Sequence, residues 1–374
     1  MYRTRIIFPA ILLMMLGIFG CQARETEPVS QMQEPVLEPL VSEALLAEAG
    51  LERVWQRQMP LKTGETLKQI YVVDDRVYGL SSDNYLLSLD REKGNVVFSK
   101  PIGRSGFPVF DFKHFGGELY SVVGNRLMEY DRGSGDVLSE KSFDFGVMCP
   151  AARNSEFFYI GGSDRRVHVF KAANKVESFE ASAMSDSGIS SIIAGDNFVV
   201  FSTEAGDVVF MEPGRPRQLC EPFKAAEAIV GPMVLRGQRL YFASGDTNIY
   251  CLNVINGTLQ WQYQGGAVFD RGPVVTDSFV YQNIGDKGLI AIDRRNGNVV
   301  WQLTERAGIL AEFKNKSFVM TDTGRLVVMD NETREELYSV NFTCVKNFAS
   351  NTYDSKIYVA DERGRIACLK PSED

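Results

Sequence analysis

A repeat of about 40 residues runs through the chain from residue 55 onward and constrains the fold more than any other feature. In its clearest copies, residues 249–261 and 289–301, an apolar run ends at Asn253 or Asp293. Gly follows four residues later, and Trp follows four residues after that. Asp and Asn can cap a turn, and Gly supplies the positive φ of a tight hairpin. Each copy therefore predicts a strand, a turn and an outer strand whose aromatic residue can pack between neighbouring sheets.

The position of that Asp or Asn recurs at intervals of 37 to 41 residues. Its occupants are Asp90, Asp131, Lys171, Glu212, Asn253, Asp293, Asp330 and Lys370. The glycines of the repeat are Gly94, Gly135, Gly257 and Gly297. Eight units of about four strands each are typical of propeller blades. The sequence therefore predicts an all-β fold, an eight-bladed β-propeller of four-stranded antiparallel blades.

The three tryptophans of the chain predict how the ring closes. Trp261 and Trp301 end the outer strands of two units, and Trp55 lies in the same local sequence before the first unit. The last unit ends four residues after Lys370 and lacks this outer strand. We expect the strand around Trp55 to complete the last blade, which removes an exposed sheet edge.

The first 20 residues have the pattern of a signal peptide, in which two arginines precede the apolar residues 6–19. The following Ile-Phe-Gly-Cys sequence, ending at Cys21, resembles a bacterial lipobox, with Phe19 where a small residue is usual. The resemblance implies that Cys21 is acylated. Gln22 after the cysteine implies the outer membrane by the sorting rule of proteobacterial lipoproteins. The alternative is an ordinary signal peptide with a cysteine placed by chance.

Residues 21–50 are predicted to be a lipidated, flexible tether, because this segment is rich in Glu and lacks aromatic residues. A short helix is predicted within residues 42–51, where Leu45, Leu46 and Ala49 share one side. Residues 51–374 are assigned to the propeller.

The composition argues against several functions. The net charge of −8 does not favour a nucleic-acid partner, which requires clustered Lys and Arg. The chain has only two histidines, His114 and His168, and we expect both to be surface or packing residues rather than ligands. Cys251 and Cys368 are expected to pack as small apolar residues inside separate blades. The sequence thus predicts no catalytic, cofactor-binding or metal site.

The tandem Asp-x-x-x-Gly-x-x-x-Trp pattern resembles the repeats of pyrroloquinoline-quinone (PQQ) dehydrogenases. Within that superfamily, the lipobox, the short tether, the N-terminal Trp strand and the uninterrupted blades resemble the BamB family of outer-membrane assembly lipoproteins. This resemblance implies a non-enzymatic scaffold without a cofactor. It also implies a lipid anchor at the periplasmic face of the outer membrane and a β-barrel assembly component as partner.

The same resemblance suggests three partner-contact residues. The segment around Asp270 is similar to an acidic segment that enters one inner strand in the BamB family. One blade earlier, Phe223 and Lys224 are similar in character to two positions of a Leu-x-Leu-Arg segment. The alternative is that these residues belong to ordinary connections between blades.

Two other functions stay open. A PQQ- and calcium-dependent dehydrogenase would share the repeat, but known enzymes of that kind carry adjacent cysteines and an acidic calcium site, which this sequence does not display. A module binding a polysaccharide or a small ligand would use the mouth of the channel. Four phenylalanines cluster near an inner strand of blade two, and we expect most of them in the core: Phe107, Phe110, Phe112 and Phe115.

Overall fold

The computed structural model describes residues 38–372, which contain eight four-stranded antiparallel sheets. The predicted signal peptide and Cys21 lie outside the described residues. The packed chain begins with the helix α1 (Glu43–Glu48) and the strand β1 (Leu51–Gln58). The following strands form the sheets in chain order, each sheet starting from its inner strand. This arrangement confirms the predicted eight-bladed propeller.

Blades one to four contain sixteen consecutive strands. They are β2 (Leu67–Val73), β3 (Arg76–Ser81), β4 (Tyr85–Asp90), β5 (Val96–Pro101), β6 (Lys113–Phe115), β7 (Glu118–Val123), β8 (Arg126–Asp131), β9 (Val137–Ser142), β10 (Ala152–Arg153), β11 (Phe157–Gly161), β12 (Val167–Lys171), β13 (Glu177–Ala181), β14 (Ile189–Ala194), β15 (Val199–Thr203), β16 (Asp207–Met211) and β17 (Phe223–Lys224).

Blades five to eight contain the remaining strands and one turn of 3₁₀ helix, Gly285–Lys287. The strands are β18 (Ile229–Arg236), β19 (Arg239–Ser244), β20 (Asn248–Asn253), β21 (Leu259–Gln264), β22 (Val274–Val275), β23 (Phe279–Asn283), β24 (Leu289–Asp293), β25 (Val299–Leu303), β26 (Ala307–Phe313), β27 (Lys316–Thr321), β28 (Arg325–Asp330), β29 (Glu336–Asn341), β30 (Asn347–Ala349), β31 (Ile357–Ala360) and β32 (Arg365–Pro371). Blade eight takes β1 as its outer strand.

The closure of blade eight follows the prediction. Strand β1 pairs antiparallel with β32 from Leu51, opposite Pro371, to Gln58, opposite Arg365. Trp55 lies opposite Cys368, next to a register shift in β1. The first strand of the propeller thus covers the edge of the last one, and blade eight has the same four strands as the others.

The hydrophobic core is divided into eight clusters, one between each pair of neighbouring blades. Cys251 lies in the cluster between blades five and six, and Cys368 lies in the cluster between blades eight and one. The predicted packing of these two cysteines in separate blades is therefore confirmed. Because every blade buries both of its faces, no blade can be removed without exposing apolar surface on two neighbours.

One contact explains the spacing of the repeat. The indole of Trp55 in blade eight packs on Gly94 in the turn between β4 and β5, and its Nε1 donates to the carbonyl of Arg91 at 3.1 Å. Trp261 makes the same contact with Gly297 one blade further on. The outer-strand aromatic residue of one blade therefore docks on the turn glycine of the next blade.

The other repeat residues vary this contact. Phe98 replaces the tryptophan and packs on Gly135 in blade two, whereas Gly257 faces Cys220 and the edge of the Phe210 ring. Trp301 has no glycine opposite it, and its Nε1 donates to Asn331 Oδ1 at 2.8 Å. In each case the aromatic position of one blade contacts the turn between the third and fourth strands of the next blade, even where the residue types differ.

Blades two and three meet differently, because Ser139 stands at the aromatic position of blade two. Its hydroxyl donates to the carboxylate of buried Glu129. Lys175, at the glycine position of blade three, lies 2.5 Å from Glu129, and Arg153 lies 3.1 Å from it. A buried ionic cluster thus occupies the space that an aromatic ring fills elsewhere, and both cations satisfy the one carboxylate.

Helix α1 is held against the propeller. Ser42 caps its N-terminus by accepting from the amide of Leu45, and Leu46 is buried in the cluster between blades seven and eight. The hydroxyl of Tyr338 donates to the carbonyl of Ala49 at 3.0 Å. Leu40 is buried in the same cluster, so the packed chain begins inside the segment predicted to be a tether. None of the helices within residues 38–372 has the length and apolar character needed to cross a membrane.

Candidate interaction surface

One end of the ring carries both the connections between blades and the turns between the second and third strands of each blade. The amide of Ala225, on the connection from blade four to blade five, donates to Gly206 in such a turn at 2.9 Å. The turn amide of Asp322 donates to Arg306, on the connection from blade six to blade seven, at 3.0 Å. We call this end the connection face. Loops held by a rigid scaffold in this way are suited to binding a partner.

Four connections present exposed apolar side chains, which we call the apolar rim: Phe107, Met148, Met184 and Val268. They lie on the connections from blade one to two, two to three, three to four and five to six. Met184 is 95% exposed, although burying it would gain apolar contact area. Other exposed apolar residues lie on outer strands, such as Leu138 and Leu259, or in turns at the opposite end of the ring, such as Ile255 and Tyr353. The apolar rim brings four of them onto the connection face, and exposed apolar residues grouped on one face are a feature of interaction surfaces.

Asp270 lies on the connection face next to the apolar rim, on the connection from blade five to blade six. Its carboxylate accepts from the guanidinium of Arg306 on the next connection and lies 3.5 Å from Arg271. Partial burial opposes its ionisation, but the hydrogen bond from Arg306 and the two positive charges lower the pKa of Asp270. The side chain is therefore a fixed, ionised acceptor that is partly open to solvent.

Phe223 and Lys224 form β17, the outer strand of blade four. The Phe223 ring packs edge-on against Tyr250, with the centroids 5.1 Å apart, in the cluster between blades four and five. Lys224 Nζ donates to the carbonyl of Ala205 at 2.7 Å and pairs with Asp207 at 3.0 Å. The structure thus places Phe223 in a packing role and leaves Lys224 as the exposed member of this pair.

The inner strands line a channel with two cavities of about 570 Å³ and 330 Å³, both of which include Asp111 and Lys113 in their walls. Lys113 Nζ donates to the carbonyl of Ala151 at 3.1 Å. Burial raises the pKa of Asp111 and lowers the pKa of Lys113, while their mutual attraction opposes both shifts. This pair gives the channel wall a polar patch that could hold a small polar molecule.

The four phenylalanines near the inner strand of blade two divide as the sequence predicts. Phe112 is buried and stacks on Tyr78 at 5.8 Å. Phe110 and Phe115 pack against the cluster between blades two and three, whereas Phe107 belongs to the apolar rim. Most of this group therefore stabilises the core.

The two histidines have different surroundings. His114 Nε2 lies 2.7 Å from the hydroxyl of Tyr78, and its Nδ1 lies 3.0 Å from Asp74. Burial lowers the pKa of His114 although Asp74 acts in the opposite direction, so the ring is neutral at pH 7. Among the described residues, the group with converging metal-ligand atoms is His168, Glu177 and Glu180. Sequence spacing did not indicate it, because the three residues come from two strands.

Comparison with known proteins identifies the repeat. A family model described as "Outer membrane protein assembly factor BamB" matches residues 218–343 and 285–373. The second half of this propeller is therefore similar to the BamB family. The matched regions cover the second half of the ring, where Trp261 and Trp301 carry the clearest copies of the repeat. No curated protein matches the chain.

Solved structures share the fold of this chain at low identity. BamB from Moraxella catarrhalis has a TM-score of 0.65 and 12% identity, over 87% of this chain and 98% of that one. The computationally designed Ika8 protein has a TM-score of 0.65 and 14% identity, over 84% and 98%. The C-terminal WD40 domain of Sif2 has a TM-score of 0.62 and 13% identity, over 86% and 98%. At these identities the likeness concerns the fold alone.

Proposed function

We propose that this chain is a non-catalytic scaffold of the cell envelope that supports the assembly of outer-membrane β-barrel proteins. In this proposal, the connection face docks a component of the assembly machinery. The observation that carries the proposal is the apolar rim, because four exposed apolar side chains recur on one face of a rigid ring. The match to the BamB family supports the class of partner.

The rim has the properties of a docking surface. Met148 and Met184 are flexible and can adapt to the shape of a partner when they are buried. Asp270 lies two residues after Val268 and is oriented by Arg306, so a polar contact stands beside an apolar one. Apolar area supplies affinity, and an oriented charge supplies specificity. Lys224, one blade earlier, is a further candidate contact.

The experiment that tests this function is affinity purification of the full-length, tagged chain from detergent-solubilised envelopes. We expect repeated recovery of a β-barrel assembly component, because the proposed contact buries apolar surface on a protein partner. A tagged envelope protein of unrelated fold serves as the control. Recovery of the chain alone, or only with envelope proteins outside barrel assembly, would contradict the proposal.

We also propose that Cys21 carries a lipid anchor at the periplasmic face of the outer membrane, as the lipobox resemblance implies. Cys21→Ser is expected to move the protein from the membrane fraction to the soluble envelope fraction, because the acyl chains are lost. Fractionation followed by immunoblotting measures the change. Cys344→Ser is the matched control, since it removes a different cysteine, which is free, and should leave the protein in the membrane. Unchanged membrane association of Cys21→Ser would show that the anchor lies elsewhere.

A further inference from the structure

Blade three holds a cluster of metal-ligating groups on its outer two strands. His168 lies on β12, and Glu177 and Glu180 lie on β13. One ligand atom of each residue lies within 4.8 Å of the others. His168 Nδ1 is 2.7 Å from Glu177 Oε1 and 3.7 Å from Glu180 Oε1. Three donors from two strands therefore converge on one point.

The strand geometry that joins the two glutamates is irregular. In a regular strand, residues three positions apart point to opposite faces. Here His168 pairs with Glu180 and Phe170 pairs with Glu177, with a register shift between these pairs. A bulge of this kind adds one residue to β13 and returns Glu177 to the face that carries Glu180. The same register shift between the third and fourth strands occurs in blades one, two, five, six and seven, so the bulge belongs to the repeat and blade three differs in the side chains that it places there.

The imidazole of His168 is held in one orientation. Its ring stacks on Phe145, with the centroids 3.9 Å apart and the planes 13° from parallel. Its second nitrogen, Nε2, lies 3.1 Å from the carboxylate of Asp164. With an ion bound, a carboxylate behind the ring would hold the proton on Nε2 and leave the lone pair of Nδ1 for the ion. His168 is buried, whereas both glutamates reach solvent, so an ion could enter from outside.

We propose that His168, Glu177 and Glu180 form a site for a divalent transition-metal ion of the zinc type. Around a tetrahedral zinc ion, nitrogen and oxygen ligands lie about 3.3 Å apart. This separation falls between the two distances from Nδ1 to the glutamate oxygens. An imidazole with two carboxylates suits Zn²⁺, Ni²⁺ and Cu²⁺, and water completes the coordination. Arg166 binds Oε2 of Glu180 and leaves Oε1 for the ion.

Blade two provides an internal comparison. Forty residues before Arg166 and Glu180, the pair of Arg126 and Glu140 makes the same cross-strand ion pair at 2.8 Å. The positions equivalent to His168 and Glu177 hold Met128 and Val137. The arginine–glutamate pair thus belongs to the repeat, whereas the histidine and the additional glutamate distinguish blade three. The proposed donors are additions to the blade and are not required by its fold.

Isothermal titration of the full chain with Zn²⁺ at neutral pH tests the site. We expect one equivalent to bind and binding to be lost in His168→Asn, because an imidazole donor is removed. Asp164→Asn should weaken binding roughly tenfold or more, since it removes the group that orients the ring. Glu177→Gln should also weaken binding. Glu140→Gln, the equivalent carboxylate of blade two, should leave the affinity unchanged.

A second readout separates loss of the site from loss of the fold. Thermal unfolding without metal shows whether each variant folds, and Zn²⁺ should raise the melting temperature of the parent chain only where the site is intact. With Cu²⁺ as the probe, electron paramagnetic resonance should detect nitrogen from one imidazole. If His168→Asn does not fold, the solvent-exposed Glu177→Gln and Asp164→Asn variants decide the outcome. Absence of Zn²⁺ binding, or equal affinity in folded parent and folded variants, would overturn the proposal.

Discussion

Deleting residues 53–59 is expected to abolish cooperative folding of the ring. The deletion removes most of β1, the strand that supplies the outer edge of blade eight. It also removes Trp55, which is 6% exposed and fills the cluster between blades eight and one. Replacing a buried Trp by Ala costs about 3–5 kcal/mol, a large part of the total stability of an average domain. Trp55→Ala is therefore the milder form of the same change.

Urea unfolding followed by circular dichroism measures this effect. Val54→Ala is the matched control, because Val54 is the preceding residue of the same strand and is 38% exposed. We expect Val54→Ala to change the free energy of unfolding by less than about 1 kcal/mol. If Trp55→Ala, or the deletion, unfolds at the same urea concentration as the parent chain, β1 does not close the ring.

Gly94→Ala is expected to destabilise the propeller by about 3 kcal/mol, through a conformational effect and a larger steric effect. Gly94 has a φ of +68°, a conformation that L-residues adopt at a cost. A Cβ at this position would also lie 2.5 Å from Cδ2 of Trp55, so the indole would have to move out of its site. The substitution thus changes the partner of Trp55 in blade one and disturbs the contact between blades eight and one.

Gly116→Ala separates the two effects. Gly116 has a φ of +58°, but no atom lies within 4 Å of a Cβ built there. We expect this control to lose only the conformational part, about 1 kcal/mol. Urea unfolding of both variants gives the difference, which measures the close approach of the tryptophan. Equal losses in Gly94→Ala and Gly116→Ala would mean that the docking of Trp55 on Gly94 does not determine the spacing of the repeat.

Much of the fold could be predicted because each blade repeats its own local physics. The signal of the repeat is local, because its three positions lie within about ten residues of one another: the Asp or Asn that ends the third strand, the turn glycine and the aromatic residue of the outer strand. Trp55 extended the argument to ring closure, since it has the same sequence context as Trp301. The predicted role of the aromatic residue, packing between sheets, follows from the same pattern and is found at Trp55 and Trp261.

The features that could not be predicted depend on contacts between strands and blades. The ionic cluster around Glu129 joins residues 118–175 across two blades, and the sequence shows only that Ser139 lacks an aromatic ring. The convergence of Glu177 with His168 depends on a bulge, which the sequence pattern does not reveal. The apolar rim could not be predicted because the sequence does not show which loop residues face solvent. Nothing in the sequence around Met184 distinguishes it from a methionine in the core. Each of these features arises from tertiary geometry rather than local periodicity.

The most direct test of the proposed scaffold function is co-purification with variants of the apolar rim. The double variant Met184→Asp, Val268→Asp places two charges on the connection face, and Leu138→Asp, Leu259→Asp places two on outer strands at residues that are also exposed. Both pairs should remain folded by circular dichroism, because exposed substitutions cost little stability. We expect the first variant to lose the β-barrel assembly component during affinity purification and the second to retain it. Retention of that component by both variants, or its loss from the outer-strand variant alone, would contradict docking through the connection face.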